Sequence, residues 1–141
     1  MQIPAWVLYS LLSALFASLV AILAKIGMTG IHPNLATAVR TAVVLALAWG
    51  VVIGGGHWNQ VRELTGRNIL FLVLSGLATG LSWLCYFKAL QLGHVSRVAP
   101  LDKLSVALTI FLGIALLGEP LDWKVVAGGL LIVIGSCIIV W

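Results

Sequence analysis

Asp102 and Lys103 stand side by side in Arg97 to Leu117, a stretch otherwise apolar enough to cross a membrane, two residues after Pro100. A charged side chain at the centre of a membrane helix costs about 2.5–3.5 kcal/mol on insertion scales, so such a residue reads as functional and calls for a named partner. Arg40 is the matching cation. It lies about a turn and a half into the apolar run that begins at Leu35, roughly 8 Å inside at a rise of about 1.5 Å per residue. Its guanidinium can grip a carboxylate or a phosphate through two parallel hydrogen bonds, and Asp102, at a matching depth on the same face, is its expected partner. Successive helical residues point about 100° apart, which puts Asp102 on a stripe with Ser105 and Thr109 and turns Lys103 elsewhere.

Other polar groups recur at helical spacing. Ser75, Thr79, Ser82 and Tyr86 form a hydroxyl ladder, with Gly76 and Gly80 as a small-residue step beside it. Hydroxyls in membrane helices often serve only to bond neighbouring helices, but Trp83, Tyr86 and Lys88 also bring an aromatic and cationic end suited to stacking and charge recognition. Ala14, Ala17, Ser18, Ala21 and Lys25 put small residues and a cation on one stripe, either a packing face ending in a snorkelling lysine or part of a solute path. No phosphate loop or metal-ligand cluster is present, and His32, His57 and His94 lie in connections without partners at ligand spacing. The chain therefore does not read as an enzyme, and it calls for no metal, cofactor or nucleic acid. Cys85 and Cys137 fall in apolar runs as small hydrophobes.

These groups need a membrane to sit in. Of 141 residues, 62% are hydrophobic and 9% charged, and the mean hydropathy is +1.16; such a chain would expose far too much apolar surface in water. The fold class is an all-α integral membrane protein, one domain over residues 1–141. A span needs about 20 apolar residues, and five runs qualify: about 4–24, 35–54, 69–90, 97–117 and 124–141. The first continues from Met1 to Lys25 without a cleavage pattern, so it reads as a mature span and not a signal. Ser96 is the expected N-cap of the fourth, which leaves Pro100 in the first turn and requires no break. Glu119 before Pro120 ends that helix, and Asp122 is placed to cap the next. Trp6, Trp58, Trp123 and Trp141 near span ends form an aromatic belt, and Gly54 to Asn68, with Trp58, Arg62, Glu63 and Arg67, is an interfacial connector.

Five passes put Lys25, Arg40, Lys88, Arg97 and Lys103 toward one face and Arg62, Arg67 and Lys124 toward the other. The bias vanishes if Arg40 and Lys103 are set aside as embedded, so orientation is weakly specified. That pattern fits a dual-topology protein whose copies pair antiparallel, and equally a singly oriented one with functional charges. In the last span Gly128 and Gly135, and Gly129 and Ser136, are seven apart and form a small-residue seam for packing or for a dimer interface.

The run Leu74-Ser75-Gly76-Leu77-Ala78-Thr79-Gly80-Leu81-Ser82-Trp83, then Tyr86-Phe87-Lys88-Ala89-Leu90 and Val98-Ala99-Pro100-Leu101, resembles an EamA-type domain of the drug/metabolite transporter superfamily. Leu117-Gly118-Glu119-Pro120-Leu121 with the glycine-seamed last helix resembles the end of that domain. The chain is similar to the single-domain members of bacteria and archaea, which implies a multi-pass protein of the prokaryotic inner membrane. Larger members carry two such halves, and an odd span number inverts the second; the resemblance therefore implies that this chain is half of a ten-helix, inverted-repeat-like assembly made by antiparallel homodimerisation. The seam is also similar to the dimerising helix of the small multidrug resistance family. The embedded first-helix glutamate of those cation exporters has no counterpart in Pro4 to Ala24.

The expected function is a secondary transporter of a small metabolite by alternating access. The embedded charge is net positive and favours an anionic or zwitterionic solute. Arg40 would hold the anion, Asp102 would exchange with it or take a proton, and Trp83 and Tyr86 would shape the cavity, with Lys103, Lys88, Ser82 and Ser105 as further substrate-binding or coupling candidates. A flippase for a lipid-linked phosphate, or a non-transporting accessory subunit, are the rival readings.

Overall fold

The computed structural model describes residues 4–141; the start of the first apolar run, residues 1–3, lies outside them. The described residues form α1 (Ala5–Gly27), α2 (Pro33–Gly54), a 3₁₀ segment (His57–Glu63), α3 (Gly66–Leu92), α4 (Val95–Asp102), α5 (Leu104–Leu117) and α6 (Trp123–Val140). There are no strands among them. Five segments are long and apolar enough to span a membrane, the fourth being Val95–Leu117, which joins α4 and α5. Leucine, isoleucine and valine side chains along all of them are exposed, as helices bathed in lipid tails require.

Local chemistry sets the boundaries. Pro33 occupies the first turn of α2, where its missing N–H is not needed, and the ring Nδ1 of His32 accepts the Asn34 N–H at 3.3 Å. Asp122 caps α6 by accepting the Lys124 N–H at 2.9 Å, as its position predicts. Gly56, at φ 72°, takes the left-handed turn that releases α2 into the 3₁₀ segment, where Trp58 packs on Trp49 with ring centroids 5.5 Å apart.

The fourth span differs from expectation. Its N-cap is His94 and not Ser96, so Pro100 is the sixth residue of α4 and lies beyond the first turn. There the missing N–H leaves the Ser96 carbonyl without its i+4 donor, and the ring crowds that turn. The helix tightens and breaks at Lys103: the Lys103 N–H reaches Pro100 O and the Val106 N–H reaches Lys103 O, each three residues back at 3.0 Å.

The chain divides into two compact units, residues 23–91 and residues 4–22 with 92–141. In the first, the ends of three helices are tied through main-chain carbonyls. Lys25 donates its ammonium to the Leu90 carbonyl near the C-terminus of α3, and Gln91 Nε2 reaches Ile31 O at 3.4 Å. Lys25 thus caps a helix end where a snorkelling lysine was one reading of the sequence. Of its small-residue stripe, Ala21 is buried while Ala14, Ala17 and Ser18 are exposed. In the second unit, α6 packs on α4 and α5, and Ser136 Oγ donates to Pro100 O at 2.9 Å beside the break.

Candidate functional site

Within the unit of residues 23–91, the stripe Thr37, Arg40 and Thr41 of α2 carries the polar groups. The two hydroxyls are satisfied within their own helix, Thr37 on Pro33 O at 2.9 Å and Thr41 on Thr37 O at 2.8 Å. Arg40 is treated differently. Its guanidinium carbon lies 4.3 Å from the ring centroid of Phe87 and 5.3 Å from that of Trp83. Those two residues are four apart on α3 and so share a face. Phe87 is buried, and Tyr86 meets it edge to face at 5.6 Å.

Two aromatic faces stabilise a cation by about 0.5–2 kcal/mol, but they accept no conventional hydrogen bond. Arg40 Nη1 is buried and has no hydrogen-bond partner among the described residues. More than nine in ten buried polar groups are paired, so such a donor calls for an explanation. An oxyanion lying in the guanidinium plane, edge-on to the rings, would supply the acceptor. This is the chemistry that the arrangement can do: one fixed cation, desolvated by aromatics, presenting a donor with a defined direction.

The other sequence candidates of this unit lie around it unequally. Trp83 and Tyr86 are half-buried at the guanidinium, whereas Ser82 is exposed. Lys88 turns its ammonium to Gln91 Oε1 at 3.2 Å, on the exposed last turns of α3. Phe87, the ring nearest Arg40, is the residue that sequence reasoning passed over. Its signal was the i, i+4 spacing with Trp83.

In the other unit Asp102 and Lys103 form an ion pair with each other at 3.7 Å, with side chains 39% and 55% exposed. This corrects the expectation that helical geometry separates them: Lys103 keeps right-handed helical torsions (φ −70°, ψ −7°), and the two adjacent flexible side chains reach each other all the same. Ser105 is exposed at the start of α5 and accepts, through its carbonyl, the Thr109 hydroxyl at 2.8 Å. The seam of α6 divides into two stripes. A side chain on Gly129 would put its Cβ 2.9 Å from Ile110 Cδ1, and Ser136 is buried on Pro100 O, so these two face α4 and α5 of the same chain. A Cβ on Gly128 or Gly135 would meet nothing within 4 Å. Gly129→Leu is therefore expected to destabilise the chain by about 1–3 kcal/mol, the usual cost of overpacking. Gly128→Leu should leave the melting temperature in detergent unchanged; a fall as large as that of Gly129→Leu would contradict this division.

An apolar groove of about 250 Å³ between α5 and α6 is lined by residues such as Ile110, Phe111, Ile114 and Val133, and by none of the candidate charges. It suits hydrocarbon and not an anion. Among the described residues no group of three or more His, Cys, Asp or Glu could hold a metal.

Comparison with known proteins decides the lineage. The EamA-like transporter family model matches residues 4–141, nearly the whole chain. The chain belongs to the EamA-like transporter family. A relative from Sinorhizobium sp, named as an uncharacterized transporter in the cobO 3′ region, is 50% identical over 117 residues, 83% of each chain. No solved structure matches. This EamA-family chain is thus a multi-pass membrane protein whose family and span count agree with the sequence reading.

Proposed function

We propose that this chain is a secondary transporter that moves a small anionic or zwitterionic metabolite by alternating access, as an antiparallel homodimer in the prokaryotic inner membrane. The transporter class rests on the family and on the relative named as a transporter. The sign of the solute rests on one observation, the buried and unpaired Nη1 of Arg40 held between Trp83 and Phe87. A carboxylate is the simplest group that completes it, since one oxygen can take Nη1 while the rest of the solute lies along the rings. Asp102, on a break in an apolar span, is the group that takes the coupling proton, and its exposed pairing with Lys103 is weak enough to exchange. Antiparallel pairing would use the open stripe of Gly128 and Gly135.

Competition identifies the solute class. Proteoliposomes carrying the purified chain are loaded with a mixture of radiolabelled amino acids and small carboxylates and challenged with excess unlabelled monocarboxylates, zwitterions, phosphorylated metabolites and organic cations. Carboxylates or zwitterions are expected to compete and cations to have no effect; competition by cations alone would overturn the reading.

A further inference from the structure

The connection between α2 and α3 carries two arginines that the transport reading does not use. Its 3₁₀ segment, His57–Glu63, makes a turn about every three residues, so side chains three apart stand over one another. Trp58 and Val61 share one stripe, Asn59 and Arg62 a second, and His57, Gln60 and Glu63 the third. The apolar stripe has a fixed direction. Trp58 packs on Trp49 with ring centroids 5.5 Å apart, so this face is turned to the end of α2, a membrane-spanning helix. Trp58 and Val61 remain exposed, as does Leu64 just beyond them, and the membrane boundary is where such a part-apolar surface belongs. The segment is thus laid along that boundary with its polar stripes turned from the hydrocarbon.

The charges on this corner do not satisfy one another. Arg62 and Glu63 adjoin in sequence but occupy stripes about 120° apart, and they form no ion pair. Among the described residues, neither Arg62 nor Arg67 makes a hydrogen bond or an ion pair through its guanidinium. Arg67 is the second residue of α3, and its guanidinium carbon lies 5.9 Å from the ring centroid of Phe71, one turn further into the span. That contact keeps the cation at the start of the apolar run and leaves the donors on the guanidinium edge open. Glu63 is the single acidic residue between Gly54 and Leu92, so the two arginines outnumber it.

A phosphodiester offers two oxygens in the planar geometry that arginine favours, and the positive excess favours a lipid of net negative charge over one with a neutral head. A free phosphate would meet the same donors but gain nothing from Trp58, Val61 and Leu64, against which the glycerol and upper acyl chain of a lipid can lie. We propose that the α2–α3 connection binds an anionic phospholipid, with Arg62 and Arg67 on its phosphate and the Trp58 stripe against its apolar part. The site rests on the membrane-spanning reading of the helices, and on neither the solute nor the pairing of copies.

The test is native mass spectrometry of the full-length protein released from neutral detergent micelles doped with equal amounts of phosphatidylglycerol and phosphatidylcholine. Retained phosphatidylglycerol is expected to exceed phosphatidylcholine about fivefold, the preference that roughly one basic charge near the surface confers. Arg62→Gln and Arg67→Gln should each lower that ratio, and the double variant should bring it to parity. Lys124→Gln, which removes a cation from a different connection, should leave it unchanged. All three side chains are exposed, so melting temperatures without added lipid should match wild type. Equal retention of both lipids by wild type, an undiminished ratio in the double variant, or an equal loss in Lys124→Gln would overturn the proposal. So would displacement of the lipid by millimolar inorganic phosphate, which would make this a site for a free anion. A dimer that becomes a monomer in the double variant, read in the same spectra, would instead assign the corner to contact between copies. None of these readouts needs transport, so failure here leaves the carrier reading standing, and failure of uptake assays leaves this site standing.

Discussion

Arg40→Ala is expected to raise the half-saturation concentration for anion uptake by about 10- to 150-fold. That range corresponds to losing a hydrogen bond to a charged group, about 1.5–3 kcal/mol. The effect should fall on the solute and not on the fold. Removing Arg40 forfeits its attraction to Trp83 and Phe87, about 0.5–2 kcal/mol, but also removes a buried donor that has no partner among the described residues. Arg40→Lys tests the geometry within the same experiment. Lysine keeps the charge but loses the planar group that stacks on the rings and aims Nη1, so it should restore uptake only in part. Uptake by Arg40→Ala with an unchanged half-saturation concentration would remove Arg40 from the path.

The second large effect concerns Asp102. Asp102→Asn keeps the shape and removes the titratable proton, so uptake driven by an imposed pH gradient is expected to fall to the level seen without a gradient. Stability should barely change. The pair with Lys103 is 3.7 Å long and its side chains are 39% and 55% exposed, a setting in which ion pairs are worth about 0–1 kcal/mol. A folded variant whose uptake still responds fully to the gradient would show that coupling resides elsewhere.

The spans were legible because membrane helices are written in length and hydropathy, and the five runs match the helices to within a few residues at each end. What failed depended on where one residue stands in a turn. Reading Ser96 and not His94 as the cap shifted Pro100 into a harmless position and concealed the break at Lys103. Arg40 was legible as an anomaly, but Phe87 was passed over, since its one mark in the sequence, the i, i+4 spacing with Trp83, does not name the cation that it meets. The α6 seam was visible as small residues, yet adjacent stripes seven residues in period look alike until Ile110 fills one of them. Glu119 was read as a helix terminator because nothing in Gly118-Glu119-Pro120 says that its side chain folds back onto Gly113.

The most direct test of the central claim is solute counterflow, which needs neither a gradient nor a known coupling ion. Proteoliposomes with wild-type protein or Arg40→Ala are preloaded with the strongest anionic or zwitterionic competitor and diluted into a trace of the same labelled solute. Wild type is predicted to accumulate label transiently, Arg40→Ala not to do so at the same solute concentration, and Arg40→Lys to do so weakly. Equal counterflow by wild type and Arg40→Ala would contradict the assignment of Arg40 as the group that binds the transported anion.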